Sequence, residues 1–108
     1  MSSEQSRNKT LGLLSICIKA GKTVPGADPA AEAARSGKAK CLMTVTDASE
    51  RTVRTAQLVS ERTGVPHYRA PITKEDTERL FGKQSAVIAV CDAGFAAAFA
   101  KHITGKSE

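Results

Sequence analysis

The chain has no tryptophan, one tyrosine and three phenylalanines, so aromatic rings supply little of its core and little stacking surface. Its three cysteines, Cys17, Cys41 and Cys91, are odd in number and far apart, with no Cys-x-x-Cys spacing and no paired histidine nearby. That excludes the usual disulfide frameworks and zinc sites, and no metal is expected. Each cysteine falls in an apolar run, where a free thiol behaves as a small buried hydrophobe, which predicts a reducing compartment, the cytoplasm. No stretch approaches the roughly 20 apolar residues of a membrane span. The opening MSSEQSRNKT lacks the continuous apolar core of a signal peptide, so neither export nor membrane embedding is expected. No Gly-x-Gly-x-x-Gly, Walker-type loop or His-Glu-x-x-His occurs. His67 reads as a residue of an edge strand and His102 as one favoured by a helix C-terminus, rather than as general bases. No catalytic residue, cofactor or enzymatic activity is expected.

What is present is ordinary for a folded protein: 108 residues, 41% hydrophobic and 25% charged. That is long enough to bury a core without disulfides or metal, and residues 1–108 are expected to form one domain. Sixteen Lys and Arg against eleven Asp and Glu give a net charge of +5 and a pI near 9.4. Such a balance points toward an anionic partner such as nucleic acid, although mild basicity also serves solubility alone.

Leu11, Leu14 and Ile18, widened by Leu13 and Cys17, predict an amphipathic helix over residues 6–20 with Gly21 as its stop. A short extended piece over 22–25 leads to Gly26. Asp28 then reads as the N-cap of a helix with Pro29 at its first position, ending at Ser36 and Gly37. Residues 40–46 are β-branched and apolar, a strand buried on both faces. Asp47 or Ser49 caps a helix through Arg62, with Val53, Ala56 and Val59 inward and Gly64 at its end. His67, Tyr68 and Arg69 give a brief strand. Thr73 with Asp76 resembles a capping box for a helix to Phe81, closed by Gly82. Residues 86–91 form a second apolar strand, followed by Asp92 as cap and Phe95, Phe99 and Ile103 on one helical face, with fraying after Gly105. Strands alternating with helices, two of them apolar throughout, predict an α/β fold: a three-layer α/β/α sandwich around a small mixed sheet of about four strands. No repeat or low-complexity tract interrupts it.

Three stretches together resemble a known family: Lys19-Ala20-Gly21-Lys22 leading to Gly26, Arg35-Ser36-Gly37-Lys38-Ala39-Lys40 leading into a strand, and Ala89-Val90-Cys91-Asp92-Ala93-Gly94-Phe95. Asp47-Ala48-Ser49 fits as well, and the pieces span nearly the whole chain. The resemblance is to the kink-turn-binding ribosomal proteins of the L-seven-Ae and L-thirty-e type, in particular small bacterial homologues. It implies binding to structured RNA, a kink-turn or ribosomal RNA, in association with the ribosome or another ribonucleoprotein, with no DNA partner and no catalysis. The implied interface is Lys22, Gly26, Ala27, Asp28, Arg35 and Lys38, with a second contact from the loop Lys83, Gln84 and Ser85. A helix N-terminus independently offers unpaired N–H groups and partial positive charge to phosphate.

The chain departs from the family pattern after Gly26, where a polar residue, Asn-Glu and a lysine one turn later are usual. Here stand Ala27, Asp28, Pro29 and Glu32. Asp28 and Glu32 place carboxylates where phosphate would approach, and Pro29 removes a donor. Asp28-Pro29 also reads simply as a well-made helix start. Two other functions share the scaffold: a protein-interaction adaptor that exchanged the RNA face for a protein surface, and a nucleotide or small-ligand binder.

Overall fold

The computed structural model describes residues 3–104, and the fraying expected after Gly105 lies outside them. The elements are α1 (Ser3–Lys19), β1 (Thr23–Pro25), α2 (Ala27–Arg35), β2 (Cys41–Thr44), α3 (Glu50–Thr63), β3 (His67–Arg69), α4 (Lys74–Phe81), β4 (Val87–Val90) and α5 (Ala93–Thr104). They form an α/β/α sandwich around a mixed sheet of order β1-β4-β2-β3. β4 pairs antiparallel with both β1 and β2, whereas β2 and β3 run parallel. No described helix is long and apolar enough to cross a membrane.

The two central strands are buried on both faces, and strand alternation divides their side chains between two cores. Cys41, Met43 and Val45, with Ile88 and Val90, meet Leu14 and Cys17 of α1 and Phe99 of α5. Leu42, Val87 and Ala89 turn the other way, onto Ala30, Ala33 and Ala34 of α2 and Val59 of α3. Leu80 and Phe81 bring the end of α4 against the first cluster.

Sequence and structure differ at several boundaries. Asp28 does not cap α2: the N-cap is Gly26, with φ 108° and ψ 141° and no side-chain cap bond. The sheet explains the shift. Gly26 N–H donates to the Val87 carbonyl at 2.8 Å, so pairing with β4 runs one residue past Pro25 and the chain must turn at the glycine. That φ/ψ region is essentially reserved for glycine. Pro29 is consequently the third helical residue, and the first helical bond comes from Ala30 N–H to the Gly26 carbonyl at 2.9 Å. Ser49, not Asp47, caps α3, its Oγ accepting from Thr52 N–H at 3.1 Å. Asp47 instead accepts from Lys74 N–H at 2.9 Å, tying two loops together. The Thr73–Asp76 capping box forms as expected. Asp76, 3% exposed, also takes both ends of the Arg7 guanidinium at 2.6 and 3.2 Å. Val53 and Cys91 are half-buried rather than buried.

Candidate nucleic-acid interface

β4 lies between β1 and β2, so its two ends mark two ends of the molecule. Gly26 is bonded to Val87, and the loop 82–86 feeds directly into that strand; Val45 N–H closes the gap by donating to the Ala86 carbonyl at 3.1 Å. The Gly26 turn, the loop after α4 and the loop that starts α3 therefore meet at one end. The turn of Gly26, Ala27 and Asp28 and the loop with exposed Lys83 and Gln84 thus lie at the same end of the sheet. Gln84 Nε2 reaches Glu78 at 3.4 Å. Ser85 belongs to the same loop but points inward, 4% exposed. Its N–H donates to Thr77 Oγ1 at 2.9 Å, so it props the loop on α4 instead of facing outward.

Between the first turns of α2 and α3 opens a cleft of about 230 Å³. Leu42, Val87, Ala56 and Val59 give it an apolar floor, while Asp28 stands on the α2 side and Arg51, Thr52 and Thr55 on the α3 side. Two helix N-termini flank this opening, each with partial positive charge and N–H groups lacking helical acceptors. Pro29 has no N–H, so on α2 these groups are those of Ala27 and Asp28. Gly26 also controls the shape of the turn: a Cβ there would lie 3.3 Å from Pro29 Cδ.

Lys22, Arg35 and Lys38 are not part of this end. Lys22 precedes β1, and its carbonyl accepts from Cys91 N–H at 2.8 Å, at the opposite end of β4. Arg35 lies in the last turn of α2 and Lys38 just beyond it, about 12 Å or more along the helix from Gly26. The interface expected as one surface is thus divided in two. Arg51, Thr52 and Thr55 were missed by the sequence reading, although the signal existed. Once Ser49 is the cap, residues 52, 55, 56 and 59 share one helical face, and the two polar ones fall at its open end.

Groups elsewhere are engaged structurally. His67 Nε2 lies 2.9 Å from the buried Thr44 Oγ1, and burial followed by the nearby Arg69 holds its pKa below the ordinary value. The cysteines, remote in sequence, converge near the end of β4: Cys41 pairs with Val90, and the Lys22 carbonyl lies near both Cys17 and Cys91. Burial pushes the Cys17 thiol up to about 11 and the Cys41 thiol up to about 12, so both stay protonated and unreactive. Among the described residues, no three His, Cys, Asp or Glu side chains are placed to share a metal ion.

No family model matches the chain. It is 29% identical over 93 residues to the RNA-binding protein YlxQ of Enterococcus faecium, covering 86% of this chain and 89% of that one. The chain is therefore similar to a protein named for binding RNA. Among solved structures it superposes on a protein with unknown function from Bacillus halodurans with a TM-score of 0.79 and 24% identity, covering 87% of this chain and 95% of that one. A 15.5kD RNA binding protein of Giardia lamblia follows with a TM-score of 0.74 and 19% identity, covering 94% and 87%. At these identities the two structures establish a shared fold.

Proposed function

We propose that this chain is an RNA-binding protein of the kink-turn class, and that it grips a kinked or bulged RNA at the Val87 end of its sheet. It acts without catalysis, as a cytoplasmic companion of the ribosome or another ribonucleoprotein. The observation that carries the reading is the cleft beside Gly26. Two helix N-termini and Arg51, with Asp28 opposite, surround an apolar floor, which suits a base turned out of its stack with phosphate close to the α3 side. A regular A-form helix presents no such base, so this geometry favours distorted RNA. The similarity to E. faecium RNA-binding protein YlxQ, over most of both chains, supports RNA as the partner.

Asp28 and Glu32 are exposed on α2 and oppose phosphate at that edge, which leaves shape and the α3 side to carry more of the recognition. The adaptor reading finds less support. Among the described residues the exposed large hydrophobics, Ile16 and Leu58, lie on helices that cover opposite faces of the sheet and form no shared patch. The deciding experiment titrates the protein against a kink-turn RNA and a matched straight duplex at two salt concentrations. A preference for the kinked RNA that survives the higher salt is expected; equal affinity for both sinks the kink-turn reading.

A further inference from the structure

Six exposed cations stand at the end of the sheet away from the cleft. Lys22 and Lys40 flank the C-terminal end of β4 from its two neighbours: the Lys22 carbonyl accepts from Cys91 N–H at 2.8 Å, and Lys40 N–H donates to the Val90 carbonyl at 2.6 Å. Arg35 and Lys38 stand at the end of α2, and Lys19 and Arg62 in the last turns of α1 and α3. All six are exposed. A groove of about 510 Å³, walled by Arg35, Gly37, Leu58 and Arg62, opens beside them.

Among the described residues the ion pairs join Arg7 to Asp76 and Arg79 to Glu75, and none engages these six. Of the carboxylates near this end, Asp92 accepts from Phe95 N–H as a helix cap at 2.9 Å, and Glu32, which lines a shallow groove with Lys38, makes no ion pair with it. Lys19, Arg35 and Arg62 also complement the negative ends of their helices. Lys22, Lys38 and Lys40 lie outside the helices, and among the described residues no carboxylate forms an ion pair with them. Six exposed cations at one end of the sheet, none of them in an ion pair among the described residues, form an electrostatic footprint for a polyanion.

We propose that this end is a second RNA-contacting face, which holds the phosphodiester backbone of a duplex segment without reading its sequence. It is separated from the Gly26 cleft by the length of α2, about 12 Å, so the two faces grip different nucleotides. One molecule thereby joins a distorted element at one end to a regular stem at the other. The four lysines donate as point charges, which suits phosphate positioning rather than base readout.

The test compares the full chain with a Lys22→Gln/Lys38→Gln/Lys40→Gln variant, using a straight RNA duplex and a kink-turn RNA at several salt concentrations. The variant is expected to lose about tenfold or more in duplex affinity at low salt, and the slope of log affinity against log salt is expected to fall by about 2 to 3. Its preference for kinked over straight RNA should survive. Lys9→Gln, an exposed lysine on α1, should change none of these. The three replaced side chains are exposed, so the melting temperature should hold; if it does not, an Arg62→Gln/Lys38→Gln pair should lower the slope by about 1.5 to 2. Unchanged duplex affinity and salt slope overturn the proposal. A wild-type chain that binds duplex with a steep salt slope but shows no kink preference retires the Gly26 reading and leaves this one standing.

Discussion

The two sides of the sheet are built from different materials. Against α1 and α5 the core is filled by Leu14, Met43, Ile72, Ile88 and Phe99, all fully buried. Against α2 and α3 it is lined largely by alanines, with Leu42, Val59 and Val87 as its larger members. Alanine lets a helix lie close to the sheet but fills little lateral space, and the cleft near Gly26 and the groove near Arg35 both open between α2 and α3. Large side chains fill one side densely, and small ones leave the other with concave surface.

This contrast can be broken by measurement. Phe99→Ala should cost about 3 to 5 kcal/mol in denaturant unfolding, whereas Val59→Ala, beside the clefts, should cost no more than about 2 kcal/mol. Equal losses would mean that both sides carry the fold alike. Asp76→Ala removes a capping box and orphans Arg7, and should cost about 2 to 3 kcal/mol. Burial pushes the Asp76 pKa up, but hydrogen bonds from Arg7 and Thr73 outweigh it and leave the carboxyl below its ordinary value. Its contribution is therefore present above about pH 4 and lost as pH falls through the lower, folded-state pKa. Unfolding of the wild type followed from neutral pH into acid should show that loss, and Asp76→Asn should flatten it.

On the thinner side, Gly26→Ala should cost about 1 to 3 kcal/mol, because the turn sits at φ 108° and the added methyl meets Pro29. It should also reduce the preference for kinked RNA in the same titration. Arg51→Ala should leave stability within about 0.5 kcal/mol yet weaken kinked-RNA binding by roughly tenfold, equivalent to about 1.4 kcal/mol. No loss of affinity would remove the α3 side from the interface. The smallest effect belongs to Gly12 on α1, where a Cβ would meet nothing within 4 Å. Gly12→Ala should stabilise by about 0.5 to 1 kcal/mol without touching RNA binding.

Much of the fold was legible in the sequence because its signals are local. The Thr73–Asp76 box, the apolar runs that became β2 and β4, and the glycine stops at Gly64 and Gly82 each depend on a few adjacent residues. The start of α2 was misread because its cause is not local. Asp28-Pro29 has the chemistry of a helix start, but the bond from Gly26 to Val87, 61 positions away, decides where the strand releases the chain. The candidate site was legible only in pieces. Gly26 and the loop of Lys83 and Gln84 lie at one end of the sheet, Lys22, Arg35 and Lys38 lie at the other, and Ser85 turns inward toward Thr77.

Alternation and periodicity in the sequence by themselves determined which residues enter strands and helices, and hence an α/β sandwich, because side-chain direction follows backbone period. The basic excess is likewise a property of composition. Which cations stand together is not. Lys22, Lys38 and Lys40 meet at one end and Lys83 at the other because β4 runs antiparallel between β1 and β2. Only strand order and direction, set by long-range pairing, could decide that.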